Sequence, residues 1–182
     1  MFARTVLASV AIFMVLAIAA VGIVIGSGAY DFAADSPHTV MVAKLIALAR
    51  ERSIEVRAAG IKPPPLDDPR MVAEGAEHYA LMCTGCHLAP GMRENEMRPG
   101  LNPKPPVLVT IPPGDSREQF WIIKHGIKMT AMPAWGATHS DEEIWNMVAF
   151  LQKLPGMTVS RYRALTAGAG NHNEHDRMEM PH

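Results

Sequence analysis

The chain has 182 residues, with 17 Lys+Arg against 18 Asp+Glu and only two cysteines. The balanced charge leaves no electrostatic signature for nucleic acid or for any one charged partner. The length suits one small domain with attachments.

In chain order, the first element is a continuous apolar run from Val6 to Ile25, 20 residues. About 20 apolar residues span a bilayer, and Arg4 ahead of the run favours an N-terminus on the cytoplasmic side. A cleaved signal peptide, with Ser27-Gly28-Ala29 as a small-residue site, is the alternative. Cleavable apolar regions run about 7–15 residues, so the longer run favours a retained anchor over residues 1–29. Residues 30–66 follow as a helical segment and a spacer. Between Thr39 and Ala59, the residues Val42, Leu45, Ile46 and Ala49 recur at helical spacing, with Lys44, Arg50, Glu51, Arg52, Glu55 and Arg57 on other faces. The apolar first half suits a membrane interface or a partner. Packing on the downstream domain is the competing expectation. Gly60-Ile61-Lys62-Pro63-Pro64-Pro65 is a stiff spacer.

Residues 67–165 carry the chemistry. Asp68 before Pro69 caps a helix with proline at its first position. That helix leads to Cys83-Thr84-Gly85-Cys86-His87. C-x-x-C-H reads as covalent attachment of a c-type haem. Two thiols three residues apart on a helical turn each reach one haem vinyl group, and His87 then supplies an imidazole to the iron. Both cysteines are used by one haem c. A structural zinc site would need about four Cys/His ligands, and there is only one knuckle. A thioredoxin-like dithiol wants a strand ahead of it, and the stretch here is helical.

The iron then needs a sixth ligand or an open face. Met132 is the candidate, within Lys128-Met129-Thr130-Ala131-Met132-Pro133-Ala134-Trp135-Gly136. A thioether is soft and neutral and favours ferrous iron. Pro133 stiffens the chain after the sulfur, and Gly136 lets the loop turn away. Met129 is the rival and His125 the reserve. Met92 and Met97 lie too close to His87 to cross a haem. Met71, Met82 and Met147 read as core filler. Ser116 with Gln119 marks a capping box ahead of Trp121 and Ile122, and Ser140 with Glu143 marks another. Ile144, Trp145, Val148 and Leu151 give the last helix an apolar face, which Pro155-Gly156 ends. No window shows sustained strand alternation, so the fold class is all-α.

From about Asp68 to Leu154 the chain resembles a class I monohaem c-type cytochrome. The ordered features are helix, C-x-x-C-H, Pro-containing loop, middle helix, Met-Pro loop and last helix. The resemblance implies a small cytochrome c-like haem domain behind a transmembrane helix. It implies that Gly75, with Tyr79 and Cys83 on its face, packs against the last helix near Phe150. It also implies that a carbonyl near Pro106 and Leu108 holds the proximal His87. Haem attachment in such bacterial proteins occurs on the periplasmic side, so the expected location is the inner membrane, single-pass, with the haem domain in the periplasm.

The expected function is single-electron transfer by a His/Met-ligated haem, with no catalytic residues: an electron carrier rather than an enzyme. Its partners would be a redox donor and acceptor, the membrane, no nucleic acid, and, in a second reading, a larger respiratory or dehydrogenase complex docked through the Thr39–Ala59 helix. A haem sensor or peroxidase would need an open sixth position. Residues 166–182 form a tail in which His172, His175, Met178, Met180 and His182 follow a Gly/Ala joint. Short His-rich tracts can bind metal and Met with His suits copper; an incidental disordered tail is the competing reading. His38, His78 and His139 read as surface or hydrogen-bonding residues.

Overall fold

Seven α-helices and no strand occur among the described residues, 2–168 of a computed structural model. The helices are α1 (Phe2–Ser27), α2 (Val40–Ala58), α3 (Pro69–Met82), α4 (Thr84–His87), α5 (Ser116–His125), α6 (Asp141–Lys153) and α7 (Val159–Leu165). The chain divides into two compact units at Ser36 and Pro37.

The first unit is dominated by α1. It is apolar on every face, none of its residues is buried, and it is long and apolar enough to cross a membrane. A helix that is hydrophobic all round wants an apolar environment on all sides.

In the second unit, α3 packs on α6, α5 packs on α6, and α2 lies against α5. Helix α3 starts at the Asp68-Pro69 signal. Pro69 occupies the first turn and Asp68 accepts from the Arg70 amide at 2.8 Å. The capping box of α6 is present in full. Ser140 Oγ accepts from the Glu143 amide, and Glu143 Oε2 accepts from the Ser140 amide at 2.7 Å. The start of α5 corrects the expectation by one residue. Asp115, not Ser116, is the cap, because its carboxylate takes both the Arg117 amide and the Arg117 guanidinium.

The core lies where α3 crosses α6. Gly75 makes that crossing possible, since a Cβ there would overlap the Asn146 backbone carbonyl. The atoms nearest Gly75 belong to the backbone of Asn146 and Met147, while Phe150, wholly buried, meets the Tyr79 ring at 5.2 Å. Phe120 and Trp145 stack at 4.2 Å and join α5 to α6. Helix α7 was not expected from the sequence. Thr158 caps it, and its Tyr162 ring lies 6.3 Å from Phe150.

The two halves of α2 differ. Ile54 and Ala58 are buried, whereas Met41, Leu45 and Leu48 stay exposed. Ile61 and Leu66, which bracket the proline run, pack against the core. Lys153 Nζ reaches Asp67 at 2.6 Å.

Candidate haem site

Helix α3 delivers the motif directly. Its last turn runs into Cys83, whose amide donates to the Tyr79 carbonyl at 3.0 Å, and α4 continues as a single turn. That turn brings Cys83, Cys86 and His87 together at the domain surface, each half-buried. Burial, with the neighbouring Cys86 as a lesser cause, pushes the Cys83 thiol up to about 12. A free thiol so held stays protonated at neutral pH. That is the opposite of the depressed pKa a dithiol oxidoreductase uses.

The chain reverses immediately after His87. Leu88 adopts φ 61 and ψ 168, a region that glycine alone enters freely. Its carbonyl accepts from the buried Tyr79 hydroxyl at 2.6 Å, and its side chain is buried. Leu88 therefore keeps a strained backbone because its carbonyl and its side chain are both held.

The His87 ring is oriented by the loop that follows. Its Nδ1 lies 3.0 Å from the Pro106 carbonyl. Nδ1 carries the proton in that contact, which leaves Nε2 as the ring nitrogen with a free lone pair. Metal-bound histidines are oriented by this type of hydrogen bond. Burial lowers the affinity of His87 for a second proton; the Pro106 contact opposes that and the Arg98 charge adds to it.

A second group of bonds grips the same turn. Asn95 Nδ2 donates to the Gly85 carbonyl at 2.7 Å, and Arg98 Nη1 donates to the Cys86 carbonyl. Arg98 Nε donates to Glu94 Oε1 at 2.8 Å, and this bond holds the Glu94 carboxyl below its usual range. Neither Asn95 nor Arg98 was singled out from sequence. No local pattern marks their grip on the motif, because the Gly85 and Cys86 carbonyls lie 10 and 12 residues away.

The Met loop is closed at its base. Gly126 takes φ 65, and a Cβ there would collide with the Met132 carbonyl and the Pro133–Ala134 backbone. Ile127 donates to the Met132 carbonyl at 3.2 Å, and Thr130 Oγ1 accepts from the Met132 amide at 3.1 Å. Gly136 sits against Lys124 of α5, where a Cβ would clash. This closure separates the two methionines. Met132 is half-buried and packs against the core, whereas Met129 sits at the loop tip with positive φ and 83% exposure. His125 is exposed, with its ring 5.0 Å from Trp121. His78 and His139 pair edge to face at 5.4 Å. The tail residues His172, His175, Met178, Met180 and His182 lie outside the described residues.

The family comparison falls on this same region. Residues 70–151, α3 through most of α6, match the family model described as cytochrome C oxidase, cbb3-type, subunit III. This region is a c-type cytochrome domain. No curated protein and no solved structure matches the chain. The cytochrome domain binds haem c and serves haem-based electron transfer, as a carrier or as an electron-transfer subunit. The apolar α1 fits a single-pass membrane anchor.

The residues fit the group on their own chemistry. Two thiols flank one helical turn, an imidazole is oriented through Nδ1 so that Nε2 is left free, and a thioether is seated in a closed loop. Haem supplies a one-electron iron couple. The chain's part is to hold the ligands, exclude water and set the local charge. A groove of about 220 Å³ lined by Leu108, Ile111, Ile122 and Leu151 includes none of the four expected haem residues in its wall.

Proposed function

We propose that the protein moves single electrons through one haem c, attached at Cys83 and Cys86 and ligated by His87 and Met132, on a domain held at the periplasmic face of the inner membrane. What supports the ligand assignment is that His87 is oriented through Nδ1 and that Met132 is half-buried in a closed loop, while Met129 faces solvent. Haem c held by both His87 and Met132 would leave no ligand position free for substrate. The protein is then a carrier rather than a catalyst. The Met132 thioether would favour ferrous iron and raise the potential of haem held there.

Two substitutions at the Met loop test this. Met132→Ala should abolish the ferric Met–iron charge-transfer band, open the iron to added ligands and lower the potential. Met129→Ala should leave all three unchanged. A wild-type band in the Met132 variant would move the sixth ligand elsewhere. Attachment is tested separately: the Cys83→Ser/Cys86→Ser protein should show no haem stain on a denaturing gel, and persistent stain would overturn the reading.

A second reading, a subunit of a larger respiratory or dehydrogenase complex, is favoured by the exposed Met41, Leu45 and Leu48 on α2. On that reading a partner covers this face. Purification in mild detergent should then bring a haem or copper protein along with the wild type. A Met41→Gln/Leu45→Gln/Leu48→Gln variant should lose it while keeping its haem spectrum.

A further inference from the structure

Among the described residues, Arg98 is the largest wholly buried side chain, at 2% exposure. Long charged side chains are almost never buried without partners. Its partners here are few. Glu94 Oε1 accepts from Arg98 Nε at 2.8 Å but is shared with Lys104 at 3.2 Å, and the Glu94 side chain is itself 45% exposed. The cluster of Glu94, Arg98 and Lys104 thus holds two cations and one anion, an excess of one positive charge beside the motif.

The remaining Arg98 bond shows what the residue is placed to do. In α4 the amides of His87 and Leu88 take the Cys83 and Thr84 carbonyls, so the Gly85 and Cys86 carbonyls are left to groups outside the turn. Asn95 satisfies Gly85 with a neutral donor. Arg98 satisfies Cys86. Asn95 Oδ1 in turn accepts from the Met97 and Arg98 amides, each at 3.1 Å, which fixes the 95–98 turn beneath the motif. A neutral donor would be enough for the Cys86 carbonyl, as it is for Gly85. A guanidinium adds a permanent charge, held on the carbonyl of the residue just before the proximal His87.

We propose that Arg98 is a positioning residue that clamps the Cys86 carbonyl and whose buried charge, trimmed by Glu94, biases the haem iron toward the ferrous state. The inference rests on His87 as the haem ligand. A fixed cation in a poorly screened site stabilises the reduced, less positive centre. Because the guanidinium is shielded from solvent, added salt screens it little.

The test is redox titration of the full-length haem-loaded protein in detergent, at low and high ionic strength. Arg98→Met should lower the reduction equilibrium constant on the order of tenfold, about 59 mV for a one-electron couple, with the Met–iron band retained. Glu94→Gln should shift it the opposite way, since it removes the negative partner and keeps the Arg98 clamp. Lys104→Met, at an exposed site, should give a smaller fall that salt removes. An Arg98→Met protein with attached haem and a wild-type potential overturns the proposal, and so does a shift that vanishes in salt. Should Arg98→Met fail to accumulate, Glu94→Gln decides: an unchanged or lowered potential overturns the proposal. A wild-type protein without covalent haem would instead overturn the electron-transfer reading beneath it.

Discussion

Helix α3 and the first half of α2 are both helices with regularly spaced apolar residues, yet only one of them finds a place inside the protein. On α3, Val72, Ala76 and Tyr79 are buried around Gly75, which lets α6 approach to backbone contact. On α2, Met41, Leu45 and Leu48 recur at positions i, i+4 and i+7 and share one face. They are 74%, 60% and 65% exposed. Periodicity states that a face needs an apolar neighbour. It does not state which neighbour, and here the fully buried residues of α2 are the later Ile54 and Ala58, on a helix that lies against α5. The core is therefore built around α3 and α6, and the apolar start of α2 lies outside it.

The sharpest way to break this contrast is to cut into the core side. Phe150 is wholly buried against Tyr79 and near Tyr162. Phe150→Ala should cost about 3–5 kcal/mol in denaturant unfolding of the haem-loaded protein. Gly75→Ala should cost about 1–3 kcal/mol or more, because the colliding atom is backbone and cannot rotate away. A Gly75→Ala protein of wild-type stability would mean that α3 and α6 are not in backbone contact.

Within α2 the two halves should respond oppositely. Ile54→Ala should cost about 2–4 kcal/mol, since Ile54 is buried. The Met41→Gln/Leu45→Gln/Leu48→Gln variant should stay within about 0.5 kcal/mol of wild type in detergent. Equal losses in both would show that the exposed face is covered within the chain.

How far the sequence carried depended on the range of the interactions. The Asp68-Pro69 and Ser140/Glu143 caps were legible because their bonds span two or three residues. The α5 cap was misplaced by one position because Asp115 and Ser116 are adjacent and both are good capping residues. The contact between His87 and Pro106 followed from family resemblance rather than from spacing; it crosses 19 residues. Arg98 was missed altogether. Before the chain folds, an arginine in a Pro- and Gly-containing loop looks like any solvated cation. The packing of Ile61 and Leu66 around a proline run was likewise hidden, because proline composition reports stiffness and says nothing of contact.

Leu88 offers a smaller test of the core side. Its backbone conformation costs of order 1–3 kcal/mol for a residue with a Cβ, and its buried side chain offsets that cost. Leu88→Ala loses the packing and keeps the strain, whereas Leu88→Gly loses both. The glycine variant should therefore be the more stable of the two by about 1 kcal/mol. That reverses the ordinary order, in which glycine is worse than alanine inside regular structure. An alanine variant at least as stable as the glycine variant would remove the strain argument.

The smallest expected effect is a pH dependence at His78 on α3. Burial lowers the His78 pKa from 6.5, and the neighbouring His139 lowers it further, while Glu143, Glu77 and Glu74 oppose the shift. A lowered histidine pKa means that the folded protein binds this proton less readily than the unfolded chain. Stability attached to His78 is therefore fully present above pH 6.5 and falls as the pH drops from there toward the lowered folded value; below that value the loss is complete. The carboxylates held low by hydrogen bonds, such as Glu143 and Asp115, lose their contribution only at more acid pH. Denaturant midpoints of the haem-loaded protein at pH 5 and pH 7.5 should differ more for wild type than for His78→Gln. The difference should be under about 1 kcal/mol, because His78 is only partly buried and its charges are screened. A variant that keeps the full wild-type pH dependence would assign the effect to another group, with His139, its ring partner at 5.4 Å, the first to substitute.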